Sequence, residues 1–306
     1  MPRYNRDVCL AFPSIFVIPS YQKGGQGDSG GQSQARFSFK HPAVQTNPPE
    51  VNKCLVSRFE GGVIGEADLG QSEMRHAACL SGDASLLKLF DEGICPHTDL
   101  SIRCEGPDVV NHLFWKSGIG GKDPRQIYKQ GNFLILYRGS ARKFQLVVLK
   151  ESGHLLHWEF CNSTIQSLWS LRTGLHAWQE RIIHDSHKRG YLEMPITGHS
   201  RYTFEGADKD VTVIVNIPVQ ASSALTLQDI QNCFEYLLQI NGLMPYIIPF
   251  QNRHDAIYSD IAPGYEPIWK ECVIEAFNYC VTRGYYARLC NWTGYNPPLI
   301  MEYKLK

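Results

Sequence analysis

Hydrophobic positions change period along this chain, and each change marks an expected element. Gly61–Asp68 (GGVIGEAD) is a short apolar run closed by a carboxylate, the pattern of a buried strand. After Asp83, a suitable N-cap, Leu86, Leu87 and Phe90 recur at helical spacing until Gly93. A longer helix is predicted over Thr164–His187. Ser163 would cap it, Leu168, Leu171, Leu175 and Trp178 would share one face, and Gly190 would stop it. Residues 191–204 read as a hairpin turning at Thr197-Gly198. A further helix is expected from Leu225 to Ile240. Pro245–Asp260 holds two strand-like stretches around the polar segment Gln251–Asp255. A helix follows near Trp269–Thr282, and Ile300–Leu305 alternates as an edge strand does. Residues 20–35, rich in Gly, Ser and Gln, read as a flexible loop, and 41–50, with Pro42, Pro48 and Pro49, as an irregular stretch. Strands at both ends with helices between predict an α+β fold, a sheet domain interrupted by a helical insertion.

Composition narrows the class. The 306 residues carry a formal net charge of zero, so the whole chain does not attract nucleic acid electrostatically. Local charge does vary: Lys116, Lys122, Arg125, Lys129, Arg138, Arg142, Lys143 and Lys150 are opposed only by Asp123 within their stretch. Such a run is either a solvated face or an anion-binding one. The ten cysteines form no CxxC pair, and Cys95, His97 and Cys104 lack a second pair at zinc-like spacing, so reduced thiols in an intracellular protein are expected. The opening Met1–Asp7 stretch carries no apolar run, so a secretory signal is not expected. The apolar runs Phe133–Tyr137 and Val211–Val219 are too short to cross a bilayer, which predicts a soluble chain without a membrane partner.

Three stretches carry candidate chemistry. In Glu66-Ala-Asp68-Leu69-Gly-Gln71-Ser-Glu73-Met-Arg75, a strand delivers Asp68 just before a helix. A carboxylate there suits a hard divalent cation, with the Leu69 carbonyl as a further oxygen donor, or else a helix cap. Arg125, Lys129, Phe133 and Tyr137 recur at i+4, along one slowly winding helical stripe. Two cations followed by two rings fit a nucleotide, with cations on the triphosphate and rings on base and sugar; a snorkelling amphipathic helix has the same spacing. Gly131 inside that helix costs about 1 kcal/mol against Ala, so a small residue or a bend is expected there. Asp255, in the polar turn Gln251–Asp260, is a second carboxylate for the same metal pair. Spacing alone does not join it to Asp68.

Taken together, these stretches resemble the motifs of family A, polymerase I-like DNA polymerases. Asp68-Leu-Gly-Gln71-Ser-Glu73-Met-Arg75 is similar to motif A, Arg125, Lys129, Phe133 and Tyr137 to motif B, and His254-Asp255-Ala256 to motif C. Leu80-Ser-Gly-Asp83 with His97-Thr98, Arg189-Gly190-Tyr191, Asn216-Ile-Pro218-Val-Gln220, and Arg36 with His41-Pro42 and Gln45 follow the family's order. The resemblance implies a palm over 1–80 and 205–306 with a mostly helical fingers insertion over 81–204. It implies template-directed addition of dNTPs to the primer end of primer–template DNA, with two Mg²⁺ ions (Mn²⁺ as a substitute) held by Asp68, Leu69 and Asp255. Arg125, Lys129 and His97 would grip the triphosphate, Phe133 would pack on the incoming nucleotide, and Tyr137 would hold the place of the templating base. Glu73, beside Gln71 in the nucleotide site, would exclude a 2′-hydroxyl. Arg36, Gln45, Asn216, Gln220 and His254 would touch the DNA without reading its sequence.

The chain departs from the family at Ala256, where motif C usually has Glu, at Arg138, where Gly usually follows the motif B tyrosine, and at Leu69-Gly70. The family's thumb and 3′–5′ exonuclease would lie ahead of Arg36, so a separate chain supplying one or both is expected. Two rival readings remain: a catalytically degenerate polymerase-like subunit that binds nucleic acid or scaffolds a replication complex, and an RNA polymerase or reverse transcriptase on the same palm.

Overall fold

The computed structural model describes residues 55–106, 124–152, 155–198, 200–202, 208–253 and 255–306. In chain order it shows β1 (Val63–Leu69), α1 (Ser72–Ser81), α2 (Ala84–Asp91), α3 (Pro96–Glu105), α4 (Pro124–Leu136), α5 (Ala141–Ser152), α6 (Trp158–Leu171) and α7 (Thr173–Arg189). These are followed by β2 (Tyr191–Glu193), β3 (Ser200–Tyr202), α8 (Asp208–Ile240), β4 (Ile247–Arg253), β5 (Ala256–Ile261), α9 (Glu266–Thr282), α10 (Tyr285–Thr293) and β6 (Met301–Leu305). The fold is α+β. The expected loop at 20–35 and irregular stretch at 41–50 lie outside the described residues.

The chain divides into two compact units, one of 1–72, 220–291 and 299–306, the other of 73–219 and 292–298. The first is built on an antiparallel sheet ordered β4-β5-β1-β6, so the first and last described strands are neighbours and β6 is an edge. Alternation along β1 gives the sheet two different faces. Gly65 faces α9: a Cβ there would lie 2.7 Å from the Trp269 ring and 2.6 Å from Ile261 Cδ1, so only glycine lets that helix settle. Trp269 is 1% exposed and meets Tyr303 of β6 edge-on at 6.4 Å. Glu66 and Asp68 belong to the other face. There Glu66 pairs with Lys304 at 3.7 Å and with Lys306, and burial beside Glu66 pushes the Tyr258 phenol up to about 12.

The second unit is helical, with the β2–β3 hairpin attached. The single helix expected over Thr164–His187 is two helices, α6 and α7. The chain breaks at Arg172 (φ −102°, ψ 51°) because Asp83 caps from outside. Its carboxylate accepts from Leu86 N–H at 3.0 Å through Oδ1 and from Leu175 N–H at 3.0 Å through Oδ2, serving the starts of both α2 and α7. Gly174 permits the approach, since a Cβ would sit 2.7 Å from Asp83 Cα.

The helix expected from Leu225 begins at Asp208 and runs through Pro218. Ile214, Val215, Ile217 and Val219 are all at most 1% exposed, and the polar stripe Thr212, Asn216 and Gln220 is narrow and half-buried, so the stretch reads as apolar rather than as a surface helix. Continued as one helix, Val211–Ile240 is long and apolar enough to cross a membrane by length and composition alone, and 61% of its apolar window is buried within the protein, as in a core helix. All eight described cysteines carry free thiols.

Gly131 lies on the buried side of α4. A Cβ there would meet Leu168 Cδ1 at 3.5 Å and Leu100 and Phe144 at 3.7 Å, ordinary contact distances, so packing does not demand glycine. Gly131→Ala is therefore expected to stabilise the protein by about 0.5–1 kcal/mol through helix propensity, read as a higher denaturant midpoint at unchanged slope.

Candidate active site

Asp68 stands one residue before the end of β1, with Ala256 of β5 opposite it on one side and Glu302 of β6 on the other. Arg253 pairs with Ala256 across the β4–β5 hairpin, which leaves Asp255 in the tight turn between them. The two strand ends are joined directly, because Leu69 N–H donates to the Asp255 carbonyl at 2.9 Å. Two aspartates distant in sequence thus occupy adjacent backbone positions at one edge of the sheet, and both are half-buried.

Past β1, Gly70 N–H bonds to Ile300 O at 2.9 Å, and the chain turns through Gln71 in the left-handed region (φ 55°) to start α1 at Ser72. Ala256, where the family has a carboxylate, is 4% exposed. Among the described residues no three His, Cys, Asp or Glu side chains cluster as a metal cage. The donors available at this edge are two carboxylates and backbone oxygens. Mg²⁺ accepts such a set, since it keeps several waters and is completed by substrate phosphate.

In the helical unit, α4 carries the second constellation. Tyr128, Asn132, Ile135 and Leu136 are fully buried, which leaves Lys129, Phe133 and Tyr137 along the half-exposed side. Lys129 Nζ lies 5.7 Å from the centre of the Phe133 ring, Phe133 stacks on His97 of α3 at 5.9 Å, and Phe133 and Tyr137 are 6.4 Å apart. His97 is 1% exposed, so it backs the Phe133 ring in this arrangement, and a phosphate would reach it only if that ring moved aside. Arg125 sits in the first turn of α4, and its side chain lies outside the described atoms.

Two buried amides, absent from the sequence reading, fix this helix. Asn132 Nδ2 donates to Pro96 O at 3.2 Å, tying α4 to the start of α3, and Gln179 Nε2 donates to the Ile135 and Leu136 carbonyls at 3.0 and 2.9 Å, capping the end of α4 from α7. Nothing in the local spacing of either residue marks it.

The end of α4 explains the departure at Arg138. Arg138 N–H bonds to Ile135 O at 3.2 Å and Gly139 N–H to Leu134 O at 2.5 Å, which is a Schellman closure with Arg138 in its left-handed position (φ 56°). That conformation is strained for a non-glycine residue, and an ion pair from Arg138 to Glu180 holds it. Gly139 supplies the close approach instead, since a Cβ there would lie 2.4 Å from Leu134 Cδ2. The hydrogen bond from Arg138 favours the ionised form of Glu180 and lowers its carboxyl from the ordinary value. Tyr137, the capping residue of this turn, donates its hydroxyl to Glu73 in the first turn of α1, so the two residues expected at the nucleotide site are bonded to each other.

Of the remaining expected positions, Asn216 and Gln220 lie one turn apart on α8 and are half-buried, and Gln220 Oε1 is buried with no hydrogen-bond partner among the described residues. Arg36, Gln45 and His254 lie outside the described residues. Arg75 is 4% exposed, stacks over Phe90 at 4.4 Å and donates to Pro298 O, a packing role.

No family model matches the chain. Among curated proteins it is similar to the thermostable DNA polymerase I of Thermus filiformis, 28% identical over 202 residues, and to that of Thermus aquaticus, 28% identical over 208; each match takes in 62% of this chain and 22% of the relative. DNA polymerase I of Streptococcus pneumoniae is 24% identical over 207 residues, 62% of this chain and 21% of the relative. The chain thus spans about 22% of the length of these relatives. Among solved structures, the POL domain of Pol1 from M. smegmatis, in complex with DNA primer-template and dNTP, superposes with a TM-score of 0.69 at 19% identity, covering 89% of this chain and 45% of that one. Across 62% of its length this chain is similar to DNA polymerase I, and it shares the fold of a polymerase domain.

Proposed function

We propose that this chain carries the catalytic core of a DNA-directed DNA polymerase, which adds dNTPs to the primer 3′ end of primer–template DNA and releases pyrophosphate. The observation that supports this reading most is the backbone bond from Leu69 to Asp255, which sets the motif A and motif C aspartates on adjoining strand ends. Asp68, Asp255 and the Leu69 carbonyl would hold two Mg²⁺ ions, or Mn²⁺ in their place. Bound there, the ions supply positive charge to the attacking and leaving oxygens of an in-line displacement.

The protein's own groups do the rest. Lys129 and Arg125 bind and orient the triphosphate and stabilise charge as pyrophosphate departs. Phe133, backed by His97, offers a ring face to the incoming nucleotide, Gln71 also binds the nucleotide, and Tyr137 keeps the templating position filled until a base enters. Arg36, Gln45, Asn216, Gln220 and His254 position the duplex near the primer end. In this reading the palm is made by 1–80 and 205–306 and the fingers by 81–204.

Glu73 sets sugar choice. Its carboxylate, tied to the Tyr137 hydroxyl, is a rigid obstacle beneath the sugar C2′, where a 2′-hydroxyl would have to displace a satisfied hydrogen bond. Single-nucleotide incorporation with dNTP and rNTP in parallel tests the reading. The wild type is expected to favour dNTP, and Glu73→Ala to raise the relative use of rNTP roughly 10–100-fold, a change of about 1.4–2.7 kcal/mol. A wild type that prefers rNTP ends the DNA polymerase assignment.

A further inference from the structure

A chain of hydroxyls leads from motif A to the motif C aspartate inside the sheet-bearing unit. Ser223 Oγ donates to Asp255 Oδ1 at 3.1 Å, and Ser72 Oγ lies 2.7 Å from Ser223 Oγ. Both serines are 0% exposed. A serine hydroxyl has a single proton, and an ionised carboxylate only accepts. With the Ser223 proton committed to Asp255, the proton between the two serines must come from Ser72. The direction is therefore fixed: Ser72 O–H to Ser223, Ser223 O–H to Asp255. The anchors at the far end are rigid, since Ser72 opens α1 directly after the Gln71 turn and Ser223 sits in the middle of α8.

We propose that Ser223, oriented by Ser72, is a positioning residue that holds the Asp255 carboxylate in its metal-binding orientation. The need is local. Asp255 projects from a tight turn and is half-buried, so its side chain has several rotamers to choose from. The neighbouring position that could have carried a second carboxylate is the buried Ala256, and the donor that reaches Asp255 from another element is Ser223. A buried hydroxyl aimed at one oxygen selects one rotamer and favours the charged carboxylate, and groups of this kind behind a metal ligand typically carry about 10–100-fold in metal affinity or activity. The inference rests on reading Asp255 as a metal ligand.

The test titrates Mn²⁺ alone into the full chain, with free Mn²⁺ read by electron paramagnetic resonance, for the wild type, Asp255→Asn, Ser223→Ala, Ser72→Ala and the double serine variant. Ser223→Ala is expected to weaken Mn²⁺ binding roughly tenfold and Ser72→Ala by less. Once Ser223 is gone, removing Ser72 should weaken it no further, a non-additivity that general loosening of the fold does not produce. Ser72→Ala, the milder change, keeps the test open if Ser223→Ala does not fold. Binding lost in Asp255→Asn but kept within twofold in Ser223→Ala overturns the positioning role alone. Binding kept in both overturns the metal reading, and the positioning role with it.

Discussion

Asp68→Asn and Asp255→Asn are each expected to lower primer extension by at least about 10³-fold, roughly 4 kcal/mol of transition-state stabilisation, while the protein melts within a few degrees of the wild type. The amide keeps the shape of the carboxylate and removes its charge, so the loss isolates electrostatics from packing. Neither residue carries the fold: both are half-buried at strand ends, and the Leu69 bond that joins them runs through the backbone and survives either change. The two losses should not multiply in the double variant, because one ligand removed already dismantles the shared site. Asn rather than Ala is the sharper choice at 255, where it can still accept from Ser223 and so preserves the orientation while discarding the charge. Extension within tenfold of wild type in either variant would remove these residues from the chemistry and favour the degenerate-subunit reading.

Much of this site was legible from the residues because it is written in local patterns. Asp68 closes a short apolar run, and Lys129, Phe133 and Tyr137 keep a strict helical interval whose back is filled by Tyr128, Asn132, Ile135 and Leu136. Amphipathic or alternating segments reveal themselves in this way because one side is solvated. Where a segment is buried all round, or where its cap comes from elsewhere, the pattern fails.

The first half of α8 reads as an apolar strand-length run because its polar stripe, Thr212, Asn216 and Gln220, is narrow and half-buried, and the break at Arg172 is invisible because Asp83, far earlier in the chain, terminates the turn there. Helices α3 and α10 were missed for a related reason: α3 starts without a side-chain cap, and α10 takes its cap from far earlier in the chain, where the Asp229 carboxylate accepts from Tyr285 N–H at 2.8 Å. The pairing of Asp68 with Asp255, the Asn132 and Gln179 clamps and the Ser72–Ser223 chain are long-range contacts, and no spacing rule reaches them. Family resemblance supplied the first of these; only the three-dimensional arrangement supplied the others.

Lys129→Ala is expected to lower kcat/KM for dNTP addition by roughly 10²–10³-fold, with most of the loss in kcat. The physical reason is where charge moves. As the bond to the α-phosphate forms, negative charge gathers on the departing pyrophosphate, and a cation held close by gains more from that state than from the bound nucleotide. Lys129 is held: it projects from the second turn of a helix whose second half is clamped by Asn132 and Gln179, and its ammonium lies over the Phe133 ring. Its stem is half-buried, so truncation also removes some packing, but that cost falls on stability and is read separately by melting. Lys129→Arg separates charge from geometry. The planar fork restores the charge but not the compact point donor, and should recover only part of the rate. A variant in which KM rises while kcat stays at the wild-type value would show that Lys129 binds substrate and transition state equally, and would leave the stabilisation of leaving pyrophosphate to Arg125.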